Sequence, residues 1–255
     1  MIKFFRKIRQ RLLSQGKAGK YFKYAIGEII LVVIGIFLAI QLNDLNEKRK
    51  DNEKELSFLS KLKDDIGLDI LNLSQSDSLF ASFESESERA LQIFYQAKTV
   101  KDIILSDSLF KTAWTSLKIN RKTYDEILNT SGIYILKNKE LLNQITDYYA
   151  LIEATQQQIA SLNLSSQTFF QSTDLIPHML LVKDHSKPWL DINKIDTTWI
   201  GDFNSPITLA LYRFYGNAQY GVNNLRREWD KSIIKSGEQL VYKIDQELKD
   251  KNYKQ

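Results

Sequence analysis

Residues 24–42 read YAIGEIILVVIGIFLAIQL, and this stretch decides the fold of the chain. Glu28 is its only charged residue, and a helix of this length is about long enough to cross the ~30 Å hydrocarbon core of a membrane. The apolar run ends in FLAIQLND without a small-residue cleavage site, so an uncleaved signal anchor fits better than a removed signal peptide. A buried core helix is the remaining alternative, but such helices seldom have basic and aromatic residues on their flank.

The distribution of charge around this stretch predicts its orientation. Residues 1–24 carry eight Lys or Arg and no acidic residue, whereas four basic residues follow the stretch over 43–54. The positive-inside rule then places the N-terminus in the cytoplasm. The expected parts are a basic amphipathic segment at 1–23, a transmembrane signal anchor at 24–42 and a periplasmic domain at 43–255. The predicted location is the inner membrane of a bacterium.

Residues 2–13, IKFFRKIRQRLL, have the pattern of an amphipathic helix that lies on the membrane surface. Basic side chains near anionic lipid contribute about 1 kcal/mol each to binding. The side chains predicted to contact the bilayer in this way are Lys3, Arg6, Lys7, Arg9 and Arg11. A disordered positive tail that only sets the topology is the alternative.

Small residues recur within the apolar stretch. Gly27, Leu31, Gly35 and Ala39 are four residues apart and share one helix face, where Gly27, Gly35 and Ala39 allow close approach of a second helix. A homodimer through this face is therefore a hypothesis. Glu28 is either a functional intramembrane acid or an interfacial residue. The candidate span residues are Tyr24, Gly27, Glu28, Leu31, Gly35, Ala39 and Leu42.

The composition after residue 42 favours an all-α fold. Ten Gly and three Pro in 255 residues are too few for the turns of an all-β protein. All but eight of the 35 basic residues and all but one of the 31 acidic residues lie in this part, so its net charge is −3. Nucleic acid is therefore not an expected partner. The absence of Cys excludes disulfides, thiolate catalysis and Cys-based zinc sites.

The transmembrane helix is expected to continue beyond the membrane, because the polar stretch at 43–55 contains no Gly or Pro. Apolar residues then recur at helical steps, and Leu62, Leu68 and Leu71 widen the apolar face. This width favours an antiparallel helical bundle with long helices over a two-stranded coiled coil. The residues of the helical steps are Leu56, Leu59, Ile66, Ile70, Leu73 and Phe80.

Further helices are predicted along the rest of the chain. One covers 84–98, and the next begins at Ser106 or Asp107 as its N-cap and carries Leu109, Phe110, Ala113, Trp114 and Leu117. A short helix is predicted to begin at about Tyr124 and to end near Gly132, where the sequence pattern predicts a C-cap. A long helix covers 138–171.

A capping loop at 174–206 is expected to follow, because it contains all three prolines. The last helix is predicted to run from Pro206 to about Lys249. A regular helical period places four aromatic residues on its buried side: Tyr212, Phe214, Tyr220 and Trp229.

No pattern in the sequence points to catalysis or a cofactor. The sequence contains none of the motifs for a phosphate-binding loop, a dinucleotide-binding turn, a nucleophile elbow, a zinc protease or a calcium-binding loop. His178 and His185 lie seven residues apart near three aspartates, a spacing that matches no familiar metal site. The acid pair Asp64 and Asp65, and the run from Glu84 to Glu88, are interpreted as solvated helix faces.

Two parts of the chain resemble a known family. MIKFFRKIRQ at 1–10 and GKYFKYAIGEIILVVIGI at 19–36 are similar to the start of uncharacterised bacterial membrane proteins, domain of unknown function 6090. TYDEILNTSGIYIL at 123–136 and NKELLNQITDYY at 138–149 resemble that family's central segment. The resemblance implies the anchored architecture and no activity.

The leading hypothesis is a non-enzymatic, membrane-anchored envelope protein whose helical domain binds itself or another envelope protein. The alternative is a periplasmic ligand-sensing bundle that acts through a partner subunit. An apolar pocket between helices would favour the sensor, and an exposed apolar surface would favour the protein-binding module. An enzyme would require ionisable groups clustered in a cleft, at about 174–202.

Overall fold

The computed structural model describes residues 18–130, 132–170 and 196–252. These residues form helices and no strand, which confirms the all-α prediction. The chain divides into two compact units, Met1–Leu56 and Ser57–Gln255. The predicted surface helix at 2–13 lies outside the described residues.

Eight helical segments follow one another in the described residues. Seven are α-helices, named here α1 to α7 in chain order, and one between α6 and α7 is π-helical. The α-helices are α1 Ala18–Gln96, α2 Val100–Leu109, α3 Lys122–Asn129, α4 Gly132–Ile135, α5 Lys139–Phe170, α6 Pro206–Gly216 and α7 Leu225–Asn252. The π-helical segment covers Asn217–Asn224.

The main core of the second unit is built by α1, α5 and α7. Leu59, Ile66, Ile152, Ile233 and Ile244 are buried together in it. Lys63 of α1 pairs with Asp245 of α7 at 2.7 Å, whereas Asp77, further along α1, pairs with Arg227 near the start of α7. This order of ion pairs shows that α1 and α7 run antiparallel.

A second core lies where α1 ends. Phe94 of α1, Ile103 of α2, Trp199 of the turn at 198–201, and Leu211 and Phe214 of α6 are buried together there. The indole Nε1 of Trp199 donates to the Asp196 carbonyl at 2.7 Å, which fixes the ring in this core. Of the predicted capping loop, only residues 196–206 are described, and they form turns that lead into Pro206 at the first position of α6.

The helix predicted to begin at Ser106 or Asp107 is wrong. The helix begins at Val100 with Thr99 as its N-cap: the Thr99 hydroxyl accepts the Asp102 N–H while the Asp102 carboxylate accepts the Thr99 N–H, a capping box. The helix ends at Leu109, and residues 110–121 are not helical. Ser106 is buried inside α2 and donates to the Ala90 carbonyl at 2.7 Å.

Three other local predictions are also wrong. The helix predicted over 84–98 is the end of α1, which is continuous to Gln96. Gly132 is the first residue of α4 and no C-cap, since α3 ends with Thr130 as its C-cap. Of the three leucines predicted to widen the buried face of α1, Leu62 is buried but Leu68 and Leu71 are exposed, so this face is narrower than predicted.

Residues 120–123 are held against α1 by two acidic side chains. Both carboxylate oxygens of Asp69 accept the backbone N–H of Asn120, at 3.0 and 3.2 Å. Asp65 accepts the Asn120 side-chain amide at 2.6 Å and the N–H of Thr123, in the first turn of α3, at 3.3 Å. Asp65 is therefore not part of a merely solvated face, because it accepts a hydrogen bond from a first-turn N–H of α3 that has no partner within its own helix.

Asp69 is expected to make stability depend on pH. Burial, opposed by the Asn120 N–H and reinforced by Asp65, raises the pKa of Asp69 from 3.8 to about 6. The folded protein then holds this proton more tightly than the unfolded chain, so the free energy of unfolding falls as pH rises from about 4 to 6. The loss is on the order of 2 kcal/mol. Urea unfolding of wild type and Asp69→Asn at pH 4–7 measures it, and parallel curves for the two proteins would contradict it.

Candidate functional site: a groove lined by tyrosines

An open groove of about 590 Å³ lies between the last turns of α1 and the helical run of α6 and the π-helical segment. Its volume is within the range of ligand sites in proteins. The lining residues are Glu88, Leu91, Gln92, Tyr95, Gln96, Tyr212, Arg213, Gly216, Asn217 and Tyr220. We call this the tyrosine groove.

Three tyrosines of the groove are exposed: Tyr95 by 62%, Tyr212 by 40% and Tyr220 by 62%. The ring centroids of Tyr95 and Tyr212 are 6.4 Å apart, and both rings contact Phe203, at 5.1 and 5.7 Å. Contact with Phe203 therefore supports the rings of Tyr95 and Tyr212, although both side chains remain exposed. Exposed tyrosines with this support offer a large contact area at little cost in side-chain entropy.

The second aromatic position of the groove is Tyr220, which lies in the π-helical segment. The backbone hydrogen bonds of a π-helix join residues five apart, in place of four in an α-helix, so its side chains follow a longer period. Gln219 and Asn223 point inward and donate to the carbonyls of Glu84 and Lys111, at 2.8 and 2.9 Å. Tyr220, beside Gln219 on this segment, faces solvent. Its predicted burial, and that of Tyr212, is wrong.

Gly216 keeps the middle of the groove open. It lies inside a continuous helical run, where Gly costs roughly 0.5–1 kcal/mol relative to Ala. A Cβ at this position would meet no atom within 4 Å, so no packing against the fold requires Gly. The space above Gly216, between Tyr212 and Tyr220, is therefore part of the open volume of the groove.

The groove has no net formal charge. Glu88 on the α1 side and Arg213 on the α6 side are its carboxylate and guanidinium, and both are exposed. Between them lie side-chain amides, with Gln92 and Gln96 following Glu88 at steps of four residues along α1. This arrangement suits a neutral ligand that offers polar groups beside apolar faces.

The neighbouring acid Glu84 does not face the groove. Its carboxylate accepts hydrogen bonds from the Asn224 amide at 2.9 Å and from Arg227. These two donors lower the pKa of Glu84 against the opposing, and largest, effect of burial. Glu84 therefore joins α1 to α7, which contradicts its interpretation as part of a solvated acidic face.

The candidate span residues all lie on α1. Gly27, Leu31, Gly35, Ala39 and Leu42 are exposed. Glu28 is partly exposed and has an interaction partner. Tyr24 is within the helix, but its side chain is not described. The stretch has a mean hydropathy of 2.5 over an 18-residue window, none of it buried, so α1 is long and apolar enough to cross a membrane.

Other predicted residues lie outside the described part of the chain. They are the basic residues Lys3, Arg6, Lys7, Arg9 and Arg11, and the loop residues His178, His185, Asp174, Asp184 and Asp191. Within 18–130, 132–170 and 196–252, no three His, Asp or Glu side chains are grouped as metal ligands would be.

Sequence reasoning missed the groove because it placed Tyr212 and Tyr220 on the buried side of the last helix. One usable signal was the density of tyrosine in LYRFYGNAQYG at 211–221, which exceeds what a single buried helix face accommodates. Another signal was Tyr95, which is not among the residues at helical spacing that are expected to be buried in 84–98. The contact between these two segments could not be predicted from the sequence, because it depends on tertiary packing.

The fold and the site define an all-helical protein with one apolar N-terminal helix suited to a membrane and an open aromatic groove on its helical domain. The model of a family of unknown function, DUF6090, matches residues 28–173, and the chain belongs to this family. Comparison with curated proteins gave no match. Comparison with solved structures gave none either.

Proposed function

We propose that this protein is a non-enzymatic, membrane-anchored protein-binding module of the bacterial envelope. Residues 24–42 anchor it, with the N-terminus in the cytoplasm and the helical domain in the periplasm. The tyrosine groove is the surface that engages a partner. The observation that carries the proposal is the group of three exposed tyrosines, two of which contact Phe203, beside a glycine that leaves room for a ligand.

The open form of the groove favours protein binding over sensing of a small metabolite. A sensor would enclose its ligand between helices, whereas Tyr95 and Tyr220 are each more than half exposed. A gap among Phe80, Ile159 and Trp229 has a volume of about 10 Å³. This is about the space of one water molecule, so the gap does not accommodate a metabolite.

The proposed topology predicts the behaviour of fusions at the C-terminus. In a Gram-negative host, a C-terminal alkaline phosphatase fusion is expected to be active, and a green fluorescent protein fusion is expected to be dark. The reason is that a domain following a basic segment and a single span is exported. Exchanging the basic residues of 1–24 for neutral ones is the control, and it should reduce phosphatase activity. A fluorescent fusion with inactive phosphatase would place the domain in the cytoplasm.

The proposed partner binding is tested by photo-crosslinking in cells. A benzophenone amino acid replaces Gln92, inside the groove, and in a matched variant replaces Tyr242, which is exposed on α7 and outside the groove lining. Irradiation is expected to give a discrete protein adduct from position 92 and not from position 242. Gly216→Leu should remove the adduct by filling the groove. Equal labelling from both positions, or none from position 92, would argue against a groove that binds protein.

A further inference from the structure

We propose that the tyrosine groove binds a neutral, proline-rich segment of the partner in the polyproline II conformation, which rests on the protein-binding function proposed above. Proline-rich segments dock in aromatic-lined grooves because their extended helix is already formed before binding. Three features of the groove support this occupant: the spacing of its rings, its hydrogen-bond donors and its lack of net charge.

The spacing of the aromatic positions matches an extended peptide. Tyr212 and Tyr220 are eight residues apart, which is at most about 12 Å along a helix axis. A polyproline II segment rises about 3.1 Å per residue, so four residues cover this distance. One proline can then contact the pair formed by Tyr95 and Tyr212, and another can contact Tyr220. The space above Gly216 accommodates the residues between them.

The hydrogen-bonding groups of the groove favour a peptide rich in carbonyls. Tyrosine hydroxyls, the Arg213 guanidinium and the amides of Gln92 and Gln96 can all donate hydrogen bonds to peptide carbonyls. A proline-rich backbone offers carbonyls and few N–H groups, so it needs donors.

The neutrality of the groove limits the charge of the peptide. Glu88 and Arg213 balance each other, so neither a strongly acidic nor a strongly basic segment gains from long-range attraction. Affinity then depends on ring contacts and on hydrogen bonds to the peptide carbonyls. The expected binding is consequently little changed by salt.

Fluorescence anisotropy on the full chain in detergent micelles tests this directly. The probe is a fluorescein-labelled decaproline peptide, and the control probe is a labelled Gly-Ala decapeptide. Decaproline is expected to bind saturably and at least about tenfold more tightly than the control peptide. Tyr220→Ala and Gly216→Leu should each weaken it by about tenfold, because truncating or covering an aromatic anchor removes a large share of binding. Tyr242→Ala should leave it unchanged.

Several outcomes would overturn the peptide assignment. They are decaproline binding no better than the Gly-Ala peptide, equal losses for Tyr220→Ala and Tyr242→Ala, and displacement of decaproline by a chito-oligosaccharide at lower concentration than by unlabelled decaproline. Circular dichroism melts check the variants, and Tyr220→Ala, at an exposed side chain, serves if Gly216→Leu does not fold.

The crosslinking experiment separates the two proposals. A protein adduct at position 92 that excess decaproline does not reduce would retain the protein-binding function and reject the peptide class. An adduct that decaproline suppresses supports both. No adduct at position 92 rejects the protein-binding function itself.

Discussion

Replacing Arg226 with Met is expected to lower the free energy of unfolding by about 3–5 kcal/mol. Arg226 and Asp230 are buried, with 6% and 0% exposure, and Arg226 Nε donates to Asp230 Oδ1 at 2.9 Å. The guanidinium also donates to the Thr115 carbonyl at 2.9 Å and lies over the Phe80 ring. Methionine has a similar volume, so the substitution removes the charge and its hydrogen bonds while leaving little empty space.

The loss is large because Asp230 would remain in the core without its cation. Burial already raises the pKa of Asp230, with Ser76 and Arg226 opposing the effect. Without Arg226 that carboxyl must either ionise without a counter-charge or take up a proton. Thermal unfolding in detergent should show a decrease in Tm of roughly 10 °C, at about 2–4 °C per kcal/mol for a domain of this size.

A second substitution is the control for the Arg226 prediction. Asp230→Leu added to Arg226→Met removes the isolated charge and should restore most of the lost stability, since a buried ion pair is often replaceable by apolar residues. A double variant as unstable as Arg226→Met alone would show that the hydrogen bond to Thr115 matters more than the charge pair.

Replacing Gly201 with Ala is expected to cost about 2–4 kcal/mol of unfolding free energy. Gly201 has φ of +74°, a region that L side chains rarely adopt. A Cβ at this position would also lie 2.7 Å from the Ala97 carbonyl oxygen, a backbone atom that cannot rotate away. The turn that positions Trp199 in the second core would have to move.

The matched control for Gly201 is Gly67→Ala. Gly67 is exposed within α1, and a Cβ there meets no atom within 4 Å. Alanine at this position should raise the free energy of unfolding by about 0.5–1 kcal/mol, because it restricts the unfolded chain. Urea denaturation of both variants measures the opposite shifts. A neutral or stabilising Gly201→Ala would mean that the turn tolerates another backbone conformation.

The sequence predicted the long helices well, because their apolar residues repeat over many turns. The helix expected at 138–171 is found at Lys139–Phe170, and Ile145, Tyr148 and Ile152 are buried as expected. Pro206 begins the last helical run as predicted. In these segments local preference and tertiary packing agree, which makes the pattern readable.

The stretch at 110–121 shows what could not be predicted. It contains no Gly or Pro, yet it is not helical, because distant side chains bond its backbone. Ser87 donates to the Lys111 carbonyl at 2.6 Å, and Gln156 donates to the Leu117 carbonyl at 3.0 Å. These bonds join residues far apart in sequence and satisfy the backbone without a helix. The capping box at Thr99, by contrast, was present in the sequence as TVKD.

The groove was unpredictable for a related reason. Gln219 and Asn223 of the π-helical segment are buried and donate to carbonyls on other segments. The prediction placed Tyr212 and Tyr220 on the buried side, although Tyr212 is exposed within the α-helix α6. Which side of this helical run is buried therefore depends on its contacts with distant segments and not on local preference.

The antiparallel pairing of α1 with α7 also determines when the domain can fold during synthesis. Lys63 and Asp245 form an ion pair, and Ile66 and Ile244 share the main core, although nearly the whole domain separates them in the chain. The part of α1 that packs against α7 thus stays uncovered until the ribosome has made α7. Contacts of such long sequence separation slow folding, because the loop between them must close first. The nascent domain therefore depends on protection from aggregation until its C-terminal residues emerge.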